Sequence, residues 1–251
     1  MSERPGRKPP PPISDSLSPL VRIGVLGARV FASAVTRVRF EGAIDAIPKA
    51  GPLLITANHA SNLDAVVIGG WLIPKLGRRI QWLAKREFFD WPVLGQLAPH
   101  GGINPVDRGT ADVEAFRQAK RILDEGHVLF IFPEGTRSPT GALQKAADGA
   151  AALALRTNAV IVPVGVIGAY ERWPRQRLLP RPGGRVTVRV GEPYRLKDVV
   201  PAGEGKAAKS VATAVLMRRI ADLLPVSQRG AYDVDTTDAA SSRRSNRTSV
   251  R

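Results

Sequence analysis

One histidine of the chain, His59, has a carboxylate at a spacing that could serve chemistry. Asp64 follows it by five positions, where an apolar run at 53–57 gives way to a predicted helix. Ligand crevices form at the carboxyl ends of sheet strands, so His59 is well placed for one. A hydrogen bond from the imidazole to Asp64 would fix the tautomer of the ring and favour its charged form. The alternative is structural: Ser61 to Asp64 matches a helix-capping pattern, which leaves His59 in a loop.

A second polar segment, residues 132–138, also follows an apolar strand directly. Pro133 ends that strand, and Gly135 lets backbone approach a ligand closely. Arg137 suits bidentate recognition of a phosphate or a carboxylate. An ordinary polar turn with a surface Glu–Arg pair is the alternative, and such a pair contributes little free energy.

Two further segments carry weaker signals. The glycines at 101–102 offer backbone amides and Arg108 offers a second guanidinium for phosphate, although on spacing alone a plain loop before the next helix is the better interpretation. Pro163 interrupts an apolar strand, which indicates an edge, a bulge or a pocket wall, and a core strand is otherwise the preferred interpretation. His100 and His127 have no acidic residue at helical spacing, and we interpret both as structural.

Alternating strands and helices predict the scaffold that positions these residues. Strands are predicted at 38–41, 53–57, 80–84, 128–132, 159–167 and 185–190. Helices are predicted at 18–37, 62–72, 111–124, 149–156 and 206–224. This alternation predicts an α/β layered fold with a central, largely parallel or mixed sheet flanked by helices. An N-terminal amphipathic helix, opened by Ser18 and Pro19, precedes it.

The composition limits the classes of molecule that the protein can bind and the kinds of site that it can contain. The chain has 37 Lys+Arg against 22 Asp+Glu, a net charge of +15, which attracts nucleic acid, an anionic bilayer or phosphorylated small molecules. It has no cysteine, which excludes disulfides, thiolate metal sites and a cysteine nucleophile. It also lacks the run of roughly 20 apolar residues that a spanning helix needs. We therefore expect a peripheral protein at the cytoplasmic face of a membrane.

Three regions are predicted along the chain. Residues 1–17 form a disordered, basic, proline-rich arm, residues 18–225 a single domain, and residues 226–251 a disordered tail. Within the domain, the helix at 18–37 is expected to associate with the membrane. The stretch 171–197 carries eight Lys/Arg against two Glu and is a second expected membrane contact. A helix packed on the domain and a solvated basic loop are the respective alternatives.

In chain order, four segments resemble the four-block pattern of the 1-acylglycerol-3-phosphate acyltransferase family. They are Asn58-His59-x-Ser61-x-x-Asp64, Gly102-x-x-Pro105-Val106-x-Arg108, Phe132-Pro133-Glu134-Gly135-Thr136-Arg137-Ser138 and Ile161-Val162-Pro163-Val164. The resemblance covers residues 38–195, and the first and third blocks are the specific ones. One departure lies between the third and fourth blocks, where the chain keeps Lys145 and Gly149 but lacks a second basic residue. That departure bears on headgroup preference.

The resemblance implies transfer of a fatty acyl group from acyl-CoA or acyl carrier protein to the sn-2 hydroxyl of a lysophosphatidate-like lipid. The product would be phosphatidic acid for phospholipid synthesis. It implies His59 as general base and Asp64 as its orienting partner, with the substrate supplying the hydroxyl. The substrate-binding residues that it implies are Asn58, Ser61, Arg108, Glu134, Gly135, Thr136, Arg137 and Pro163. We expect no cofactor and no metal, and an anionic membrane surface as a partner.

Three alternatives stay open at this point. A sibling enzyme would acylate glycerol-3-phosphate, a lysophospholipid with a head group, or another membrane alcohol. A basic nucleic-acid-binding protein would explain the charge, but the chain lacks zinc spacing, a helix-turn-helix and an RNA-binding aromatic motif. An inactive relative would bind lipid only, and the presence of His59, Asp64 and Glu134 disfavours it.

Overall fold

The structure is a computed structural model, and it describes residues 14–85, 98–106, 111–201 and 205–233. The strands in these ranges are β1 (Arg37–Gly42), β2 (Leu53–Ala57), β3 (Ile80–Lys85), β4 (Ile103–Val106), β5 (Val128–Ile131), β6 (Val160–Ile167), β7 (Arg185–Val190) and β8 (Tyr194–Arg195). The helices are α1 (Pro19–Val35), α2 (Asp64–Leu76), α3 (Ala111–Asp124), α4 (Gly149–Thr157), α5 (Leu196–Val199), α6 (Gly205–Ala221) and α7 (Val226–Arg229).

The strands form one sheet in the order β1-β7-β6-β2-β5-β3-β4, and β8 pairs with the start of β6. The five strands from β6 to β4 run parallel to one another. β7 is antiparallel to β6, and β1 is parallel to β7. The predicted α/β fold with a largely parallel or mixed sheet is confirmed. Because of these directions, β1 and β7 begin at the edge of the sheet where β2 and β5 end.

Helices cover both faces of the sheet. Leu53 and Ile55 of β2 belong to the apolar cluster with α1 and α2, and Leu54 belongs to the cluster with α3, α4 and α6. Successive side chains of a strand point to opposite faces, so a strand covered on both sides needs an apolar residue at every position. This requirement explains the continuous apolar run at 53–57, directly before the first block.

Helix α1 begins as predicted and packs against α2. The Ser18 hydroxyl accepts from the amide of Val21 at 3.4 Å, and Pro19 occupies the first helical position. The two helices approach closely at Gly70, where a Cβ would lie 3.4 Å from the Arg29 Cγ. In the described parts of the chain, no helix is both long enough and apolar enough to cross a membrane.

The structure bears on predictions for two proline-containing segments: the predicted loop at 103–106 is wrong, and of the alternatives indicated by Pro163 the edge strand is excluded. Residues 103–106, predicted as a loop, form β4 beside β3, and Pro105 is tolerated there because β4 lies at the end of the described sheet. Pro163 lies in β6 at the centre of the sheet and not at an edge. Its carbonyl accepts from the Gly191 amide at 2.9 Å, beside the break between β7 and β8. The missing N–H of Pro163 therefore faces that break and not β2.

The folded region extends past both predicted boundaries. Asp15, in the predicted arm, accepts from Arg78 Nε at 2.6 Å and lies 2.7 Å from His127 Nδ1. In the predicted tail, α7 leads into a short turn in which the Tyr232 hydroxyl accepts from the Ala146 amide at 3.2 Å. Both ends are therefore tied to the domain by buried or half-buried polar contacts. The predictions for 1–13 and 234–251 lie outside the described residues.

Candidate active site

Two loops meet at one edge of the sheet. Strands β2 and β5 are adjacent and parallel, with Thr56 paired to Ile131, so the loops that follow them leave side by side. The first loop carries His59 and the second carries Glu134. The Ser138 amide donates to the His59 carbonyl at 2.7 Å, which joins the two loops through their backbones. The first and third sequence blocks therefore form a single site.

The imidazole of His59 is held by Asp64. Nδ1 of the ring lies 2.9 Å from Oδ2 of Asp64, whose side chain is fully buried, while the imidazole is 20% exposed. The same carboxylate oxygen accepts from the amides of Ala60 and Ser61, both at 2.7 Å. Three donors on one oxygen fix the orientation of the carboxylate. With Nδ1 donating to Asp64, Nε2 is the basic nitrogen of the neutral ring.

The two sequence interpretations of Asp64 are compatible in the structure. Asp64 is the first residue of α2, two positions after the predicted start of that helix. Its carboxylate accepts from the Ser61 amide, as a capping residue does, and from the His59 ring through the same oxygen. The helix start thus supplies the rigid support for the imidazole.

The Glu134 side chain connects the two loops through hydrogen bonds to both of its carboxylate oxygens. Its Oε1 accepts from the His59 amide at 2.7 Å, and its Oε2 accepts from the Gln144 amide at 2.9 Å. Burial raises the pKa of the Glu134 carboxyl to about 7, although the two amide donors lower that pKa and the Asp64 charge raises it slightly. The geometry gives this residue a positioning role between the loops.

An aromatic ring supports the imidazole from one face. The Phe132 ring stacks on His59 with centroids 3.7 Å apart and planes 9° apart. Phe132 in turn contacts the edge of Phe130 at 4.6 Å between centroids. Sequence reasoning missed this partner, although its place at the start of the third block was a signal for it. The stack restricts rotation of the His59 ring and covers one of its faces.

Two residues predicted to bind substrate are engaged by the protein itself. The Asn58 side chain is buried, donates to the Val166 carbonyl at 2.9 Å and accepts from the Val166 amide at 2.7 Å. The Ser61 hydroxyl donates to the Trp173 carbonyl at 2.8 Å and accepts from the Leu63 amide at 3.0 Å. For both residues these contacts favour positioning of the loop over contact with substrate.

The open side of the second loop carries Gly135, Thr136 and Arg137. The first two are exposed and Arg137 is half-buried. Gly135 has φ +69°, which glycine adopts without strain. In the described ranges, no acidic side chain pairs with the Arg137 guanidinium, and Arg175 Nη1 donates to the Arg137 carbonyl at 3.5 Å. This loop therefore presents an uncompensated cation beside His59.

The remaining predicted site residues lie elsewhere or are not described. Pro163 is buried inside β6 with its ring against Gly191, which favours a role in packing over contact with substrate. The proline marks a break in strand pairing. Arg108 lies outside the described residues. Lys145, from the departing segment, is exposed on the chain that follows the second loop.

Residues 172–181, called the 172–181 loop below, link the site to α1. The Trp173 carbonyl accepts from the Asn62 amide at 3.0 Å as well as from the Ser61 hydroxyl. The indole of Trp173 lies against Phe31 of α1, with ring centroids 5.7 Å apart. No local pattern predicts this contact, because more than a hundred residues separate Ser61 from Trp173.

The family assignment follows from the region that contains this site. A family model described as acyltransferase matches residues 37–167, slightly more than half of the chain. The chain belongs to the acyltransferase family. The matched residues include His59, Asp64, Glu134 and Arg137, so the paired imidazole and carboxylate lie within the part of this acyltransferase that defines its family.

Individual relatives carry a more specific name. A 1-acyl-sn-glycerol-3-phosphate acyltransferase of Cocos nucifera is 35% identical over 144 residues, 56% of this chain and 45% of that protein. One of Pseudomonas aeruginosa is 28% identical over 219 residues, 80% of this chain and 78% of that protein. The crystal structure of the 1-acyl-sn-glycerophosphate (LPA) acyltransferase PlsC from Thermotoga maritima superposes with a TM-score of 0.65 at 27% identity, covering 81% of this acyltransferase and 79% of that chain. The chain spans half or less of the length of the plant relatives that it matches.

Proposed function

We propose that this protein transfers a fatty acyl group from acyl-CoA or acyl carrier protein to the sn-2 hydroxyl of 1-acylglycerol-3-phosphate, giving phosphatidate. The observation that carries the proposal is the 2.9 Å contact between His59 Nδ1 and Asp64 Oδ2. A buried carboxylate that orients a partly exposed imidazole is the arrangement that general-base catalysis needs. The names of the relatives support the choice of acceptor.

The reaction needs one proton carrier and no acyl-enzyme. Nε2 of His59 takes the proton of the acceptor hydroxyl as its oxygen bonds to the carbonyl carbon of the thioester. The carbon–sulfur bond then breaks, and the imidazolium returns the proton to the leaving thiolate. The chain has no cysteine, and the Ser61 hydroxyl is engaged with Trp173, so neither supplies a nucleophile. Positioned proton transfer of this kind contributes roughly 10²–10⁴-fold in rate.

The acceptor phosphate is assigned to the cationic side of the site. Arg137 follows Glu134 by three residues and lies half-buried in the second loop, with no acidic partner in the described chain. A guanidinium binds a phosphomonoester through two parallel hydrogen bonds. Arg108 is the second candidate, from the sequence resemblance alone. Gly135 and Thr136, exposed beside Arg137, complete the acceptor side of the site.

Acceptor and product are lipids, so the site must open near a bilayer surface. Exposed apolar side chains on α1 provide the first contact, with Ile23, Leu26 and Val30 each more than 60% exposed. Leu178 and Leu179 of the 172–181 loop, 89% and 70% exposed, provide the second. Large exposed apolar side chains of this kind mark interaction surfaces. These exposed surfaces support the proposal that the protein is peripheral on an anionic membrane.

Not every arginine of α1 serves such a surface. Arg22 and Arg29 are seven positions apart, so helical spacing places both on one stripe of α1. In the structure Arg29 is half-buried, with its guanidinium carbon 5.5 Å from the centre of the Trp71 ring of α2. Arg22 remains exposed. The helix therefore packs on the domain through one face and leaves an apolar face outward, which supports the proposed contact with a membrane.

Product analysis tests the proposal. Purified protein is offered acyl-CoA or acyl carrier protein with lysophosphatidate, glycerol-3-phosphate and lysophospholipids in parallel, and the products are identified by mass spectrometry. We expect phosphatidate from wild type, none above background from His59→Ala, and wild-type turnover from the exposed control His100→Ala. Acylation of another acceptor in preference would reassign the substrate. Wild-type activity of His59→Ala would reject the site.

A further inference from the structure

The 172–181 loop passes directly beside the first loop of the candidate active site. Ser61 and Pro174 form an isolated antiparallel bridge between the two loops. The Trp173 carbonyl accepts from the Ser61 hydroxyl at 2.8 Å and adds to this contact. Arg175 comes immediately after the bridge, so its main chain is held next to the first loop.

The side chain of Arg175 reaches across to the second loop. Its Nη1 donates to the Arg137 carbonyl at 3.5 Å, which is long for a hydrogen bond. The same peptide group donates through the Ser138 amide to the His59 carbonyl at 2.7 Å. The N–H and C=O of a trans peptide point in opposite directions. The Arg175 guanidinium therefore lies beside Arg137, at the junction where the two loops meet.

Arg137 and Arg175 are two uncompensated cations at this junction. Arg175 is exposed and Arg137 is half-buried, and neither has an acidic partner among the described residues. Glu171, the acidic residue next to the loop in sequence, is exposed and makes no ion pair within the described part of the chain. Two cations that flank one junction without a carboxylate attract an anion that can compensate both charges.

The phosphate groups of the lipids that this chemistry could acylate differ in charge. A phosphomonoester, as in lysophosphatidate, carries about −1.5 to −2 at neutral pH and has three free oxygens that accept hydrogen bonds. A phosphodiester, as in a lysophospholipid with a head group, carries a single negative charge and has only two such oxygens. Guanidinium groups bind phosphate oxygens through paired hydrogen bonds, so a second guanidinium favours the phosphomonoester.

We propose that Arg175 is a specificity-determining residue that binds the acceptor phosphate together with Arg137 and selects a phosphomonoester lipid over a phosphodiester lipid. The inference rests on the proposed function, because it assigns a second ligand to the phosphate of the same acceptor. The match to the family model ends at residue 167, so Arg175 is not among the residues that define the family. The choice of acceptor is thereby separated from the proton transfer at His59.

Lipid binding tests the proposal without turnover. Titration calorimetry compares short-chain lysophosphatidate with short-chain lysophosphatidylglycerol, both below their micellar concentrations so that no bilayer takes part. Arg175→Gln should weaken the binding of lysophosphatidate about tenfold, as the loss of a charged hydrogen bond implies, and that of the phosphodiester by less than about twofold. Arg218→Gln removes the same charge from an exposed position on α6 and should change neither affinity by more than about twofold.

A double-mutant cycle tests whether the two arginines bind one phosphate. The loss in Arg137→Gln/Arg175→Gln should differ from the product of the two single losses by about threefold or more, because groups that share a partner are not additive. Arg175→Lys, which keeps the charge without the planar fork, should recover part of the affinity for lysophosphatidate. Single losses that multiply independently would show that the arginines act at separate places and overturn the proposal.

Other results would also overturn it. Unchanged lysophosphatidate binding in Arg175→Gln, or equal losses for the two lipids, would exclude a role in selection. A loss of acyl-CoA binding alone would assign Arg175 to the donor phosphates, and a loss confined to anionic vesicles would assign it to a membrane contact. Circular dichroism and thermal unfolding confirm that the variants fold.

The binding measurements also separate this proposal from the proposed function. Selective lysophosphatidate binding that depends on Arg175, without any acyl transfer in the product analysis, would support the phosphate site and reject the reaction. Acyl transfer to lysophosphatidate with an affinity that is independent of Arg175 would reject the selection and leave the reaction in place.

Discussion

At the residue scale, Asp64 decides which nitrogen of His59 carries the proton. Asp64→Asn replaces an acceptor with an amide, and the amides of Ala60 and Ser61 will retain its one remaining oxygen. The same oxygen faces His59 Nδ1, so the contact to the ring is kept, but the negative charge that stabilises the imidazolium formed on proton transfer is lost. We expect kcat to fall by roughly 10²–10⁴-fold with the fold retained.

Steady-state kinetics on Asp64→Asn check this expectation. Asp222→Asn, at an exposed aspartate after α6, is the matched control and should behave as wild type. A variant at Asp64 with near-normal kcat would show that the carboxylate serves only the start of α2.

Glu134 makes stability depend on pH in a defined direction. Because burial raises the pKa of this carboxyl from 4.5 to about 7, the folded protein holds the proton more tightly than the unfolded chain. The contribution of this carboxyl to the free energy of unfolding is fully present below about pH 4.5 and is lost as the pH rises to about 7. The loss is at most about 3 kcal/mol. Glu134→Gln should flatten this fall in the free energy of unfolding.

Urea unfolding across that pH range measures the effect. The comparison uses the slope with pH, because Glu134→Gln also loses the acceptor for the Gln144 amide and is less stable throughout. Glu192→Gln, at an exposed carboxylate, should keep the wild-type slope. An unchanged slope in Glu134→Gln would contradict the assignment.

Arg137 is expected to bind the acceptor and not to take part in proton transfer. Its half-buried guanidinium lacks an acidic partner in the described structure, so a substrate phosphate would be its counterion. Arg137→Ala should raise the KM for lysophosphatidate about tenfold or more, as the loss of a charged hydrogen bond of about 1.5–3 kcal/mol implies, with a smaller change in kcat. Arg218→Ala, at an exposed arginine of α6, is the control. A fall in kcat at constant KM would place Arg137 in the chemical step instead.

Residue types and spacing were sufficient to predict the contact between His59 and Asp64, while the phosphate-binding role of the arginines stays a prediction. They could not show that Glu134 contacts the His59 amide, because 75 positions separate the two and only the pairing of β2 with β5 brings them together. They also misassigned Asn58, whose partner Val166 lies on β6. Local patterns reveal which groups can act, whereas long-range pairing reveals which groups they meet.

At the scale of elements, Gly165 of β6 and Gly69 of α2 differ in the space available to an added side chain. A Cβ at Gly165 would lie 2.8 Å from the Leu223 Cβ, whereas a Cβ at Gly69 has nothing closer than 3.8 Å outside its own helix. Gly165→Ala should lower the free energy of unfolding by about 1–3 kcal/mol through overpacking. Gly69→Ala should raise it by up to about 1 kcal/mol through helix propensity.

Denaturant unfolding of the two alanine variants gives the comparison, and each serves as the control for the other. Equal changes would mean that the packing of β6 against the chain after α6 is looser than the structure shows.

Strands with strong apolar runs were predictable, and strands that depend on a neighbour were not. β2 and β6 are apolar at nearly every position, so their sequences alone indicate burial on both faces. β4 contains Asn104 and Pro105 and is extended because β3 pairs with it. β8 has two residues and exists only through its pairing with the start of β6.

At the scale of the whole molecule, the candidate active site and the contacts that hold the N-terminal segment lie at opposite edges of the sheet. Asp15 joins Arg78 and His127, which precede β3 and β5 at the edge away from His59. Arg78 also donates to the Gly51 carbonyl at 2.8 Å, just before β2. One guanidinium and one carboxylate therefore tie the N-terminal segment to the starts of three strands.

Asp15→Asn should reduce the stability of the molecule without affecting its reaction. The loss of a charged hydrogen bond to Arg78 predicts a fall of about 1–3 kcal/mol in the free energy of unfolding. Turnover at a temperature where the variant is folded should equal that of wild type, because the change lies at the far edge. Asp45→Asn, at an exposed aspartate, is the control. A large fall in kcat at full folding would show that the two edges are coupled.

The main chain and the side chain of Trp173 contact different parts of the molecule. The carbonyl accepts from Ser61 in the loop that carries His59, and every amino acid has that carbonyl, while the indole lies against Phe31 of α1, donates to the Arg177 carbonyl and packs on the apolar cluster of the sheet, α1 and α2. A smaller side chain at this position would therefore keep the hydrogen bond to Ser61 and lose part of the packing that holds α1. The position of α1 can in this way change through one residue without the loss of a partner of the loop that carries His59.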